Sequence, residues 1–238
     1  MRRLITLLLA PLLTLVLAPL MVSAVAAPRD WTRVATQTAS GSFVIGNPKA
    51  KVKLIEYLSY TCPHCAHFSN ESSAVLKGKY VRSGSTSVEL RHAIRDKLDL
   101  AAAVVARCTG TAGFSATTDA IFAAQGEWGP RGDQFERING SRMALYSESA
   151  RLRALADGSG LSDIGRAKGL SNAALDACFA NTAELLKIAV MTDASWKAIN
   201  AAAGPEGGGT PSFVVNGKPH TKTEWAGLDT VLRAAGAK

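Results

Sequence analysis

Val52-Lys53-Leu54-Ile55-Glu56-Tyr57-Leu58-Ser59-Tyr60-Thr61-Cys62-Pro63-His64-Cys65 decides the reading of this chain. Val52 to Tyr57 reads as a strand, apolar on both faces at its centre (Leu54, Ile55), as in the interior of a sheet. Thr61 to about Lys79 reads as a helix, with Pro63 in the first turn, where its missing N–H costs nothing. The C-x-x-C pair therefore stands at a strand-to-helix junction. A helix N-terminus offers unpaired N–H groups and partial positive charge, which stabilise a thiolate on Cys62. His64 adds a donor or positive charge nearby. A stabilised thiolate leaves readily, so a disulfide containing it is easily attacked and reduced.

A metal reading fails on the ligand count. Zinc needs a second pair at short spacing, whereas Cys108 and Cys178 stand alone. His67 adds at most a third ligand, so no metal is expected. His67, His92 and His220 read as ordinary surface or core histidines.

On the N-terminal side, Phe43-Val44-Ile45 is a short strand stopped by Gly46-Asn47-Pro48. Residues 27–42 lack apolar period and read as a flexible lead-in. Arg2 and Arg3, an apolar run from Leu4 to Leu17 and Ala24-Val25-Ala26 form a secretory signal, residues 1–26, cleaved after Ala26. Export implies an oxidising compartment, the periplasm, where disulfides persist. Cysteine parity in that compartment predicts a structural disulfide between Cys108 and Cys178.

On the C-terminal side, Val88 to Ile94 is a further strand. Residues 98–203 then turn helical, with Ala-rich runs at 100–107, 116–124, 143–155 and 183–203. Thr210-Pro211 leads into the strand Ser212–Val215. Asn216-Gly217 is a hairpin signal, and the return strand 218–223 carries Pro219, which suits an edge. Glu224 to Ala235 closes as an amphipathic helix, with Trp225, Leu228, Val231 and Leu232 inward.

The 238 residues are 47% hydrophobic and 19% charged, a globular balance. The net charge is +8, from 27 Lys and Arg against 19 Asp and Glu. These basic residues are scattered and nowhere interleave with aromatics, so no nucleic-acid partner is expected.

Glu56 through Cys65, with Thr210-Pro211 before a strand and hairpin, resembles the DsbA-like thiol–disulfide oxidoreductases of the thioredoxin superfamily. The resemblance implies an α/β thioredoxin fold interrupted by a helical insertion domain. Residues 43–97 would form its first part, 98–203 the insertion and 204–238 its second part. It implies that Cys62 is the exposed nucleophile and Cys65 the buried resolving thiol, with Pro63 and His64 tuning them. Glu56 would be a buried acid that relays the proton of Cys65, and strand alternation places it on one face with Val52 and Leu54. Pro211 would be a cis-proline, with the Thr210 backbone free to pair with a substrate chain.

The implied enzyme is a periplasmic dithiol oxidase acting on reduced exported proteins. It needs no cofactor and is re-oxidised by a membrane DsbB-type quinone oxidoreductase. Family oxidases often carry valine before the cis-proline and isomerase-like members threonine, so Thr210 keeps an isomerase or reductase reading open. A chaperone-like peptide-binding module is the alternative of another class. No dimerisation segment is evident, which suggests a monomer.

Overall fold

The computed structural model describes residues 29–238. The expected signal 1–26 and the cleavage point after Ala26 lie outside the described residues. Among the described residues six strands form one mixed sheet: β1 (Ala35–Gln37), β2 (Phe43–Gly46), β3 (Val52–Leu58), β4 (Thr86–His92), β5 (Ser212–Val215) and β6 (Lys218–His220). Their order is β1-β2-β4-β3-β5-β6. Only β3 and β4 run parallel; the other pairs are antiparallel.

β3 is central, and its alternation decides what each face buries. Val52, Leu54 and Leu58 join a core with Phe68, Leu76, Leu228 and Leu232, from α1 (Pro63–Val75), the π-helical turn Leu76–Val81 and α9 (Trp225–Ala235). Ile55 and Tyr57 point the other way, toward Trp196 and Ile199 of α8 (Thr182–Ala203). The strand is apolar on both sides because helices cover both.

Between β4 and β5 lie α2 (Lys97–Cys108), α3 (Gly110–Ala123), α4 (Gln125–Met143), α5 (Glu148–Ser159), α6 (Leu161–Ala167), α7 (Asn172–Phe179) and α8. Several differ from the sequence reading. α4 runs through Pro130, which cannot donate to the preceding turn. Packing sustains it: Trp128 is buried with its indole N–H on the Ile121 carbonyl, at 2.8 Å. A Cβ on Gly132 would come within 2.5 Å of Leu98, so a bare backbone lets α4 close on α2.

The stretch expected as a flexible lead-in also needs correction. Within it, Asp30 caps a 3₁₀ turn, Trp31–Arg33, and β1 pairs with β2 in register Ala35↔Ile45. A three-residue edge strand of Ala, Thr and Gln carries no alternation to betray it. The return strand is shorter than expected: it ends at His220, and Lys222 adopts φ 54°.

Cys108 and Cys178 form a disulfide that ties the end of α2 to α7. Beside it, the buried Arg107 guanidinium binds Glu184 of α8 through Nε at 2.9 Å and the Gly41 carbonyl at 2.9 Å.

Candidate active site

Cys62 is the N-cap residue of α1, and Pro63 takes the first helical position. Both Cys62 and Cys65 are free thiols here. Their environments are opposite. The Cys65 thiol donates to the Cys62 sulfur and is the largest influence lowering Cys62 to about 5. Burial opposes it; the Thr210 side chain and the backbone N–H groups of Cys65 and His64 reinforce it. Burial pushes Cys65 well above its ordinary value, and its bond to the charged Cys62 sulfur pushes the same way.

Two expectations change at this point. Cys62, expected to be exposed, is 3% exposed, and Cys65 is 0% exposed. The cause is the Thr210-Pro211 loop: the peptide bond between them is cis, and the Thr210 carbonyl lies 3.1 Å from the Cys62 sulfur. His64 reaches Cys62 through its backbone N–H, while its ring is exposed and lines a neighbouring groove.

That groove, about 360 Å³, lies between α1 and the Thr210-Pro211 loop. Phe68, Pro211 and Trp225 supply its apolar lining. Phe68 packs on Phe213 and edge-on to Trp225, with ring centroids 4.6 and 6.0 Å away. On its rim, His67 pairs with Glu71 at 3.2 Å. His92 is a core histidine, fully buried beside Tyr60 and Phe114, and burial holds it well below its ordinary pKa.

Glu56 sits on the core face of β3, 6% exposed. Burial raises it to about 7, against the pull of Lys77. A cavity of about 20 Å³ touches Glu56, Ser72, Lys77 and Thr118, large enough for one water. Lys77 is paired with Asp119 at the cavity's edge.

Sequence reasoning missed three residues that grip the Ser59–Cys62 turn. Asp99 of α2, 0% exposed, accepts from the Ser59 hydroxyl at 2.6 Å and the Tyr60 N–H at 2.7 Å. Asp96 accepts from the Thr61 hydroxyl at 2.7 Å. Gln125 donates to the Tyr60 and Cys62 carbonyls, at 2.6 and 2.9 Å. Their only sequence signal was Asp96 as a helix cap before α2.

Comparison with known proteins agrees with this geometry. The thioredoxin family model matches residues 38–234. A Rickettsia conorii protein that carries the provisional name protein-disulfide oxidoreductase is 31% identical over 203 residues, covering 85% of this chain. The chain spans 62% of that relative's length, and similar shares of its Rickettsia typhi and Rickettsia prowazekii counterparts. The crystal structure of a protein-disulfide isomerase from Novosphingobium aromaticivorans superposes with a TM-score of 0.70 at 33% identity, covering 81% of this chain and 96% of that one. Wolbachia pipientis alpha-DsbA1 shares the fold, with a TM-score of 0.63 at 22% identity over 84% of this chain and 92% of that one. The family model spans the strand, the C-x-x-C at the start of α1 and the Thr210-Pro211 loop, and the chain shares its fold with alpha-DsbA1: it belongs to the thioredoxin family.

Proposed function

We propose that this protein is a thiol–disulfide oxidoreductase that donates a Cys62–Cys65 disulfide to reduced exported proteins. The observation that carries the reading is the placement of the pair: Cys62 caps α1 beside the Thr210 carbonyl, 3.1 Å away, and Cys65 lies fully buried behind it. In keeping with this, Cys62 is lowered to about 5 and Cys65 is raised well above its ordinary value. A substrate thiolate attacks the Cys62 sulfur and breaks the Cys62–Cys65 bond. Cys65 leaves with the electron pair and takes a proton, for which the buried Glu56, whose charge acts on Cys65, is the candidate source. A second substrate thiolate attacks the substrate sulfur of the mixed disulfide. Cys62 departs as a stabilised thiolate, and the substrate has lost two electrons to the dithiol.

The apolar groove and the Thr210 backbone beside Cys62 support docking of an extended, unfolded chain. The bonded Cys108 and Cys178 favour an oxidising compartment, in keeping with a periplasmic site of action. Among the described residues no helix is long and apolar enough to cross a membrane. Re-oxidation is assigned to a separate membrane partner of the DsbB type. The protein acts as a monomer, without a cofactor.

Thr210 and the name of the Novosphingobium neighbour favour a second reading, an isomerase or reductase kept reduced. Trapping thiols by alkylation in cells separates them: a mostly oxidised Cys62–Cys65 pair supports the oxidase, and a mostly reduced pair overturns it. A chaperone-like module would retain activity in the Cys62→Ser, Cys65→Ser protein; the oxidase loses it.

A further inference from the structure

The turn that carries Cys62 is held from outside the thioredoxin elements. Each residue from Ser59 to Cys62 makes a side-chain or backbone bond to α2, to its cap Asp96 or to the start of α4. Asp99 accepts from the Ser59 hydroxyl and the Tyr60 N–H, and also from the Arg95 N–H at 3.0 Å. Its two oxygens are therefore fully engaged. Gln125 supplies its amide N–H groups to two carbonyls of the same turn, those of Tyr60 and Cys62. Tyr60 is itself fully buried, so loss of these partners would leave polar backbone without solvent.

The bonds bear on the sulfurs through geometry. The Ser59 backbone faces the Cys65 sulfur, and the His64 and Cys65 N–H groups face Cys62. Hydrogen bonds to a thiolate weaken steeply with distance and angle. A turn free to shift would carry Cys62 off those donors.

We propose that Asp99 and Gln125, contributed by the helices between β4 and β5, are positioning residues that hold Cys62 and Cys65 in the geometry that stabilises the Cys62 thiolate. The inference rests on the thiol–disulfide reading above and assigns the helical block a part in the chemistry. Neither residue touches the reacting atoms; each acts through the turn.

The sign of the effect distinguishes positioning from simple electrostatics. Burial raises Asp99 to about 7, so its carboxyl is largely neutral where Cys62 titrates and Asp99→Asn removes little charge there. Any Coulomb repulsion that is lost would make a nearby thiol more acidic. Loss of positioning makes it less acidic.

The test uses the full chain with Asp99→Asn, which keeps shape but halves the acceptors, and Gln125→Met, which keeps length but removes both donors. The readouts are the Cys62 thiolate titration, followed by its ultraviolet absorbance, and the equilibrium of Cys62–Cys65 with glutathione. Both variants are expected to raise the Cys62 midpoint by about 0.7 unit and to make the disulfide about fivefold less oxidising. Thermal stability, measured alongside, reports any purely structural loss. An unchanged or lowered midpoint in both variants overturns the proposal, whatever the stability does. Gln125 is only partly buried, so Gln125→Met carries the test by itself if Asp99→Asn does not fold. Wild-type turnover on a reduced protein is scored separately. If turnover is absent while the midpoints move as stated, the oxidase reading fails and the positioning holds.

Discussion

The Cys62 sulfur lies 3.1 Å from the carbonyl oxygen of Thr210, 148 residues along the chain. The contact joins the start of α1 to the loop before β5 and covers the sulfur that the chemistry needs. Cys62 is nearly enclosed there, while the Cys65 thiol and the N–H groups of His64 and Cys65 keep it acidic, a combination that shapes its reactivity.

Small thiol reagents are expected to modify Cys62 of the reduced protein with a pH midpoint near 5, and Cys65 only after unfolding. A bulky maleimide should react more slowly than iodoacetamide, because Cys62 is 3% exposed. Mass spectrometry of the labelled peptide checks both; equal labelling of the two cysteines would contradict the asymmetry. Cys65→Ala should accumulate mixed disulfides through Cys62, because the intramolecular thiol that reverses them is gone.

Glu56 gives a signed pH dependence. Burial raises its pKa from 4.5 to about 7, so the unfolded chain ionises first as pH rises. Between those values the folded protein holds the extra proton, and stability falls as pH climbs through the window. Glu56→Gln removes that loss. Urea denaturation should find the variant more stable by up to about 3 kcal/mol at pH 8 and no more stable at pH 4. Equal gains at both pH values would show that Glu56 is not the titrating group. Proton delivery to Cys65 should slow in the same variant, seen as slower reduction of the disulfide near neutral pH.

The Cys108–Cys178 bridge closes a loop with a sequence separation of 70 residues. Chain-entropy reasoning gives Cys108→Ala, Cys178→Ala a loss of about 4 kcal/mol at most. The bridge lines a separate cavity beside Arg107 and Glu184, away from the groove at Thr210. The Cys62 midpoint should therefore stay put while denaturation shifts to lower urea; a moved midpoint would show that the bridge tunes the active pair.

The legible part of this protein was local in sequence. The strand, the C-x-x-C and the helix start lie within residues 52–65, and strand alternation correctly put Glu56 on the core face of β3. Asp99 and Gln125 were not legible, because their partners are 39 and 63 residues away and nothing local marks an Asp or Gln as a clamp. α4 was hidden by its glycines and Pro130, whose propensity cost is overcome by tertiary packing of Trp128 and Gly132. Burial of Cys62 was hidden for a similar reason: the loop that covers it arrives from the far end of the chain.

Stability of the two redox forms tests the central claim most directly. In the reduced protein Cys62 is depressed from 9.0 to about 5, which stabilises the fold above that range and is lost as pH falls through 5. At pH 7 this amounts to about 3 kcal/mol. Closing the small Cys62–Cys65 ring stabilises the oxidised form by about 2 kcal/mol on chain-entropy grounds. The measurement is paired urea denaturation of oxidised and reduced protein at pH 7 and pH 5, in the Cys108→Ala, Cys178→Ala background so that only one disulfide changes. The account predicts a reduced form more stable by about 1 kcal/mol at pH 7, with the order reversed at pH 5. An oxidised form clearly more stable at pH 7 would contradict it.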